Sequence, residues 1–446
     1  MRQLDHDKGK LKKDLGLFAT IAIIIGQMIG SGIYMAPQGL AELANPKVAV
    51  LAMLITGVGT LLLALSFAKL GNRKAATGSA IVYTQEAFGD LPAFWVGWSY
   101  WCGCWIGNGA IVLVGISYAS YFFPFLANVG FSKFLAAILI IWLFTLINIF
   151  GVKKAGYINL ILTALKLIPL VVFIFIAAYH FKGQNFQTVS SPDVSGLFTL
   201  PIAIAYTLWS FLGFEGAGVN AGEVKNSKQI GMTTIISTAI VVIIYLLLVI
   251  LAAGNMPQDQ LAQSASPFAD IIHNATGGYW AGAFISLGGS IATIGCVGAW
   301  ILSTARISYS LGERHLLPVT FAEINPKYGT PVKGLIINAV LMTLVMILGL
   351  LTHESGLYNF LVLLSVMSFL VFYAFGAASE IVLSGREIRL FNFVNFVKLS
   401  VLSLLALAYA IYTIFSSGAE YVRYGFLLML IGLPIYIYLQ LKKSKV

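Results

Sequence analysis

Charge is the scarcest commodity in this sequence. Asp, Glu, Lys and Arg make up 10% of its 446 residues, whereas an ordinary soluble domain carries about 25%. That shortage leaves too little polar surface for a soluble enzyme or a nucleic-acid-binding module. Cysteine is almost as rare. Cys102, Cys104 and Cys296 all fall within apolar stretches; Cys102 and Cys104, two apart on a helix, face different directions and cannot bridge each other. The five histidines, His6, His180, His273, His315 and His353, are scattered through segment ends and loops. Neither a metal site nor a cofactor is expected, and no ionisable groups converge as an intramembrane enzyme would need.

Apolar residues fill the gap. They amount to 59% of the chain, and the mean hydropathy is +0.89. Stretches of roughly 20 apolar residues, the length that crosses a bilayer, recur at 15–37, 47–70, 90–122, 132–151, 157–180, 197–220, 230–253, 278–309, 333–351, 355–382, 397–415 and 422–441. The expectation is an all-α polytopic membrane protein of twelve transmembrane helices, the third and eighth long enough to tilt or project. The organisation expected is a polar segment at 1–14, five helices within 15–180, five more within 197–382, two further helices within 397–441 and a short tail at 442–446. No small-residue cleavage pattern follows the first apolar stretch, which is read as a retained span.

Basic residues set the orientation. With the N-terminus inside, the inner segments collect Arg2, Lys8, Lys10, Lys12, Lys13, Lys69, Arg73, Lys74, Lys153, Lys154, Lys225, Lys228, Arg306, Arg314, Lys327, Lys333, Arg386, Arg389, Lys398, Lys442, Lys443 and Lys445. The outer side keeps only Lys47, Lys133, Lys182 and Arg423. The positive-inside rule therefore places both termini in the cytoplasm. The net charge of +10 follows from that bias and needs no nucleic acid to explain it.

Two of the apolar stretches are broken, at matching places. The first is interrupted at Gly30-Ser31-Gly32 and the sixth at Gly213-Phe214-Glu215-Gly216-Ala217-Gly218. Each opens a run of five spans. Unwound backbone inside lipid is tolerated only where it lines a cavity or binds something, and paired interruptions in corresponding positions point to a transporter's central site. Small packing residues, common in membrane helices, explain one such break as well; they explain two in register less well. A helix that stops in mid-membrane presents N–H groups suited to an anion and C=O groups suited to an ammonium. An α-amino acid carries both charges.

Polar residues deep in the spans add candidates. Glu215 lies in the second break and is either a coupling acid or a structural one that satisfies the unwound backbone. Lys166 is mid-span in the fifth stretch, where an ammonium among carbonyls does the work of a sodium ion. Asn108 offers a carbonyl to a cationic side chain, with Gly103 and Gly107 leaving room for it. Trp209 and Trp300 fit a cavity wall that stacks on a guanidinium; Trp300 fits an interfacial belt equally well.

These residues carry a resemblance. Gly30-Ser31-Gly32, the Cys104-Trp105-Ile106-Gly107-Asn108 run, Tyr121-Phe122-Phe123-Pro124, Leu208-Trp209-Ser210-Phe211-Leu212-Gly213 with Glu215, Val224-Lys225-Asn226 and Ser266-Pro267-Phe268 resemble the amino acid–polyamine–organocation superfamily, and within it the bacterial arginine/agmatine antiporter group. The resemblance implies a leucine-transporter-like inverted repeat of five helices plus five, with helices 1 and 6 broken, alternating access and a homodimer. It implies that amides around Ser31 and Gly32 hold a substrate carboxylate and that carbonyls of Met28, Trp209 and Leu212 accept its α-amine. The guanidinium would meet Gly103, Cys104, Asn108 and Ser365 under Trp300. Tyr100, Glu215 and Tyr373 look like a gate, and Trp209 like a central lid. Gln27 stands where the arginine exchangers have a shorter amide. Lys166 replaces a small apolar residue, and is similar to the lysine of proton-coupled and exchange-type carriers.

The function implied is sodium-independent exchange, across a bacterial inner membrane, of an external basic amino acid for its internal decarboxylation product, arginine for agmatine first, in step with a cytoplasmic decarboxylase. The rival readings are a proton-coupled permease of broad or neutral specificity and a putrescine/ornithine or cadaverine/lysine exchanger. A channel gives no reason for breaks in register.

Overall fold

The computed structural model describes residues 16–73, 80–128, 130–150, 155–186, 196–219, 224, 229–352, 356–386 and 393–443. The polar segment at 1–14, the basic residues Lys74, Lys153, Lys154, Lys225, Lys228, Arg389 and Lys445, and Asn226 lie outside them. Every regular element among the described residues is a helix. Besides four short 3-10 turns, the α-helices in chain order are α1 Leu17–Met28, α2 Ser31–Leu43, α3 Pro46–Arg73, α4 Ala80–Phe88, α5 Asp90–Ala119, α6 Phe131–Phe150, α7 Ala155–Tyr179, α8 Leu200–Phe211, α9 Gly216–Val219, α10 Ile230–Asn255, α11 Gln258–Gln263, α12 Pro267–Thr276, α13 Tyr279–Glu313, α14 Val332–Thr352, α15 Leu357–Arg386, α16 Phe393–Ser416 and α17 Ala419–Lys443.

The medium explains why even β-prone sequence is helical. Much of α10 is built from isoleucine, valine and threonine, residues that favour strands in water. In hydrocarbon a single segment can satisfy its own backbone only as a helix. Ten helices or joined helices among the described residues are long and apolar enough to cross a membrane, and Leu165–Tyr179 and Leu197–Phe211 are shorter apolar helices. As expected, α5 and α13 are long, at 30 and 35 residues.

The connections left between the expected spans at 71–89 and 254–277 carry helices: α4 in the first, α11 and α12 in the second. Their composition reads as loop because they are short and polar on one face. Local signals do mark α12, which has Pro267 in its first turn and left-handed Gly277 at its end.

At the centre of the buried core, α5 packs against both α13 and α15. Small residues let α5 and α13 touch: a Cβ on Gly289 would lie 2.5 Å from the Tyr118 ring, and one on Gly115 2.6 Å from Ile294. Tyr118 also donates to the Tyr34 carbonyl at 2.8 Å, tying α5 to α2. The far end of α2 is held from α11, where buried Gln258 donates through Nε2 to the carbonyls of Ala41 at 2.9 Å and Ala44 at 3.1 Å. Those carbonyls have no partner within α2, so Gln258→Leu should cost about 1–3 kcal/mol and lower the thermal unfolding midpoint in detergent. An unchanged midpoint would mean that water replaces the amide.

Candidate functional site

The first interruption arises because Gly30 and Gly32 let three helices crowd together. A Cβ on Gly30 would lie 2.8 Å from Cys296 Sγ in α13, and one on Gly32 2.5 Å from the Ser210 Cα in α8. The last carbonyls of α1, which lose their helical partners at the break, are met by side chains from three other helices. Lys166 Nζ donates to the Gly26 carbonyl at 3.0 Å, Cys296 Sγ approaches the Gln27 carbonyl at 3.9 Å, and Tyr245 donates to the Met28 carbonyl at 2.7 Å. On the other side of the break, the cap residue of α2 is Gly30, which brings no side chain to the amides of Ser31 and Gly32.

The second interruption lies directly against the first. After α8 the chain turns at Gly213, whose φ of +109° suits glycine because it has no Cβ. A Cβ there would lie 3.0 Å from Gln27 Cβ and 3.2 Å from the Met28 nitrogen. Glu215, 1% exposed, folds back into the turn. Its carboxylate accepts from the Gly213 amide at 3.1 Å, from Tyr100 at 2.8 Å and from Tyr373 at 3.0 Å, so α5 and α15 are pinned to the break through one acid.

Between the interruptions is a small cavity, lined by residues of both breaks and of the helices packed around them. Gln27, Met28, Gly30, Ser31 and Gly32 line it from the first break, and Trp209 and Leu212 from the second. Gly103, Cys104, Gly107, Asn108 and Ile111 come from α5, Cys296 and Trp300 from α13, and Phe369 from α15. The cavity has two chemically different sides. One presents the start of α2. The other presents Asn108, whose Nδ2 donates to the Cys104 carbonyl at 3.0 Å and lies 3.4 Å from Thr304 Oγ1, while its buried Oδ1 has no partner among the described residues. Buried Ser365 Oγ likewise has none, and it lies 3.2 Å from where a Cβ on Gly107 would be. Trp300 meets Phe369 edge-on, with ring centroids 5.8 Å apart.

The structure thus brings Met28, Ser31, Gly32, Gly103, Cys104, Asn108, Trp209, Leu212 and Trp300 to one cavity, with Ser365 beside it. Tyr100, Glu215 and Tyr373 form a separate cluster behind Phe369, which meets Tyr100 edge-on at 4.7 Å between centroids. Lys166, 3% exposed, does not line the cavity; it sits behind α1. Sequence reasoning missed Phe369 and Tyr245, and noted Cys296 only as a cysteine. Two of these had a signal: Cys296-Trp300-Thr304 and Ser365-Phe369-Tyr373 recur every four residues, one face of a helix. Tyr245, in an unbroken apolar run, had none.

Residues 15–436 match the family described as amino acid permease. The chain belongs to that family. This permease is 31% identical to an arginine/ornithine antiporter of Latilactobacillus sakei over 388 residues, which cover 85% of this chain and 81% of the relative. It is 30% identical to an arginine/agmatine antiporter of Chlamydia abortus over 443 residues, covering 96% and 90%. An arginine/ornithine antiporter of Pseudomonas aeruginosa is 30% identical over 311 residues, 68% of this chain and 64% of the relative. The relatives are transporters, in keeping with a multi-pass membrane protein.

At Gly107 a Cβ would come within 2.7 Å of the Trp209 indole. Gly107→Val should therefore push that ring into the cavity and weaken substrate binding by about tenfold or more, a loss of about 1.4 kcal/mol, with the protein still eluting as folded in detergent. Unaltered affinity would place the substrate elsewhere.

Proposed function

We propose that this permease is a sodium-independent antiporter that exchanges basic amino acids or their amine products, arginine against agmatine first, by alternating access. The observation that carries the reading is the two-sided cavity. A helix start with an uncapped glycine faces it from one side, fitting a carboxylate. An unpartnered Asn108 carbonyl beside Trp300, with Gly103 and Gly107 leaving room, fits a guanidinium on the other. Relatives named for arginine exchange support it; two of the three carry ornithine in their names, which makes arginine against ornithine the second reading.

In this account the amides of Ser31 and Gly32 hold the carboxylate, and carbonyls of Met28, Trp209 and Leu212 take the α-amine. The Met28 carbonyl does so with its second lone pair, the first being used by Tyr245. Gly103, Cys104, Asn108 and Ser365 surround the guanidinium under Trp300. Tyr100, Glu215 and Tyr373 act as a gate, and Trp209 as the lid. Lys166, whose ammonium occupies the Gly26 carbonyl, replaces a sodium ion at the broken end of α1. Exchange of arginine for agmatine exports one positive charge per cycle and, with a cytoplasmic decarboxylase, consumes protons.

The architecture that serves this function is an inverted repeat, 15–180 and 197–382, with helices 1 and 6 broken at the two interruptions. Counting the shorter apolar helices of α7 and α8 as crossings brings the total to twelve. Both termini lie in the cytoplasm of a bacterium, the protein sits in the inner membrane, and two copies associate.

Purified protein in liposomes loaded with arginine, agmatine, ornithine, putrescine, lysine, alanine or nothing tests the reading. Labelled arginine should enter only against an internal basic amino acid or amine. Uptake into empty liposomes driven by a pH gradient would replace exchange with proton-coupled import. Trp300→Ala should weaken arginine binding by roughly tenfold, within the 0.5–2 kcal/mol range of a cation–π contact. Asn108→Ala should impair arginine and agmatine equally; loss of arginine alone would move the guanidinium away from it. Lys166→Ala should slow exchange, and sodium should then restore part of the rate; a variant indifferent to sodium would refute the substitution.

A further inference from the structure

Gln27 occupies a place that substrate binding alone does not explain. It is the last residue but one of α1 and it lines the cavity. Its backbone packs on the second interruption: a Cβ on Gly213 would lie 3.0 Å from Gln27 Cβ and 3.1 Å from its carbonyl carbon. Its side chain reaches across that interruption. A Cβ on Gly216 would sit 1.8 Å from Gln27 Oε1, so the amide oxygen fills the room that glycine leaves at the start of α9. At the other end of the amide, Nε2 lies 3.5 Å from Ser303 Oγ in α13. Cys296, also in α13, approaches the Gln27 carbonyl. A side chain one methylene shorter would not span from α1 to Gly216 while reaching Ser303.

One residue therefore touches the cavity, the far edge of the second break and α13 together. The amide oxygen lies in the space a Cβ on Gly216 would take, and closely packed groups pass displacement on rather than absorb it. We infer that Gln27 is a positioning residue that couples substrate occupancy of the cavity to the geometry of the α8–α9 interruption. It governs how fast the loaded carrier turns over, not how tightly it binds. The inference rests on the transport reading but not on which amino acid is carried.

The test compares wild type, Gln27→Asn, Gln27→Ala, Gly216→Ala and the double variant Gln27→Ala/Gly216→Ala, by equilibrium binding in detergent and by exchange rate in liposomes. Gln27→Asn and Gln27→Ala should keep Kd within about threefold and slow maximal exchange by about tenfold or more. Gly216→Ala should be slow as well, because its methyl collides with Oε1. The double variant should be faster than Gly216→Ala alone, since the added methyl enters the space the amide vacates, a non-additivity expected of groups in contact. Parallel loss of affinity and rate, or single effects that simply multiply in the double variant, would overturn the inference. Should either Gly216 variant fail to assemble, the split between Kd and rate in the two Gln27 variants decides alone. If wild type exchanges only neutral amino acids, the basic-substrate reading falls and the Gln27 comparison is made with the amino acid it does carry. A wild type that binds but never exchanges refutes both.

Discussion

Backbone polarity without water is the constraint on which this structure depends. A helix that stops within hydrocarbon strands carbonyls on one side and amides on the other, and each stranded group costs several kcal/mol unless something meets it. At the end of α1 the protein meets the carbonyls with Lys166, Cys296 and Tyr245, drawn from α7, α13 and α10. At the turn after α8 it meets an amide with Glu215, which Tyr100 and Tyr373 hold in turn. What it leaves toward the cavity is the start of α2, capped by a glycine. Asymmetric satisfaction of that kind makes a fold that is tied together on the outside of each break, with the cavity between them.

The same constraint organises the helices around the breaks. The side chains that meet the stranded groups of α1 come from long helices packed on one another, so the breaks are held by the body of the protein and not by local sequence. Aromatic rings extend the connection. Phe369 separates the cavity from the Tyr100–Glu215–Tyr373 cluster and touches both Trp300 and Tyr100. Phe67 from α3 packs on Phe214 beside the acid. Phe369 thus links the cavity to the residues that pin the second break, and Gln27 links it to that break's other edge.

The interruptions were legible in the sequence because glycine clusters in otherwise unbroken apolar runs are costly in lipid and so carry information. Asn108 and Trp209 were legible for the same reason: a polar group or a large ring at mid-span stands out. Phe369 and Tyr245 did not stand out. Inside a helical bundle nearly every face is apolar, and periodicity no longer says which neighbour a face meets. Lys166 shows the limit from the other side. Its depth could be read from its position in the run, but its partner, the Gly26 carbonyl, depends on how α7 crosses α1. The helices α4, α11 and α12 fall between the expected spans, because their polar faces and short lengths do not match a membrane crossing.

Substrate protection of a cavity thiol tests the central claim, that the space between the two interruptions is where the substrate sits. In a Cys102→Ser/Cys296→Ser variant the remaining thiol, Cys104, lines that cavity. A small thiol reagent should label it slowly, and substrate should slow labelling further with a concentration dependence that follows the affinity measured by exchange. Labelling that substrate leaves untouched, at concentrations that saturate exchange, would contradict the account and place the transport site outside the interrupted helices.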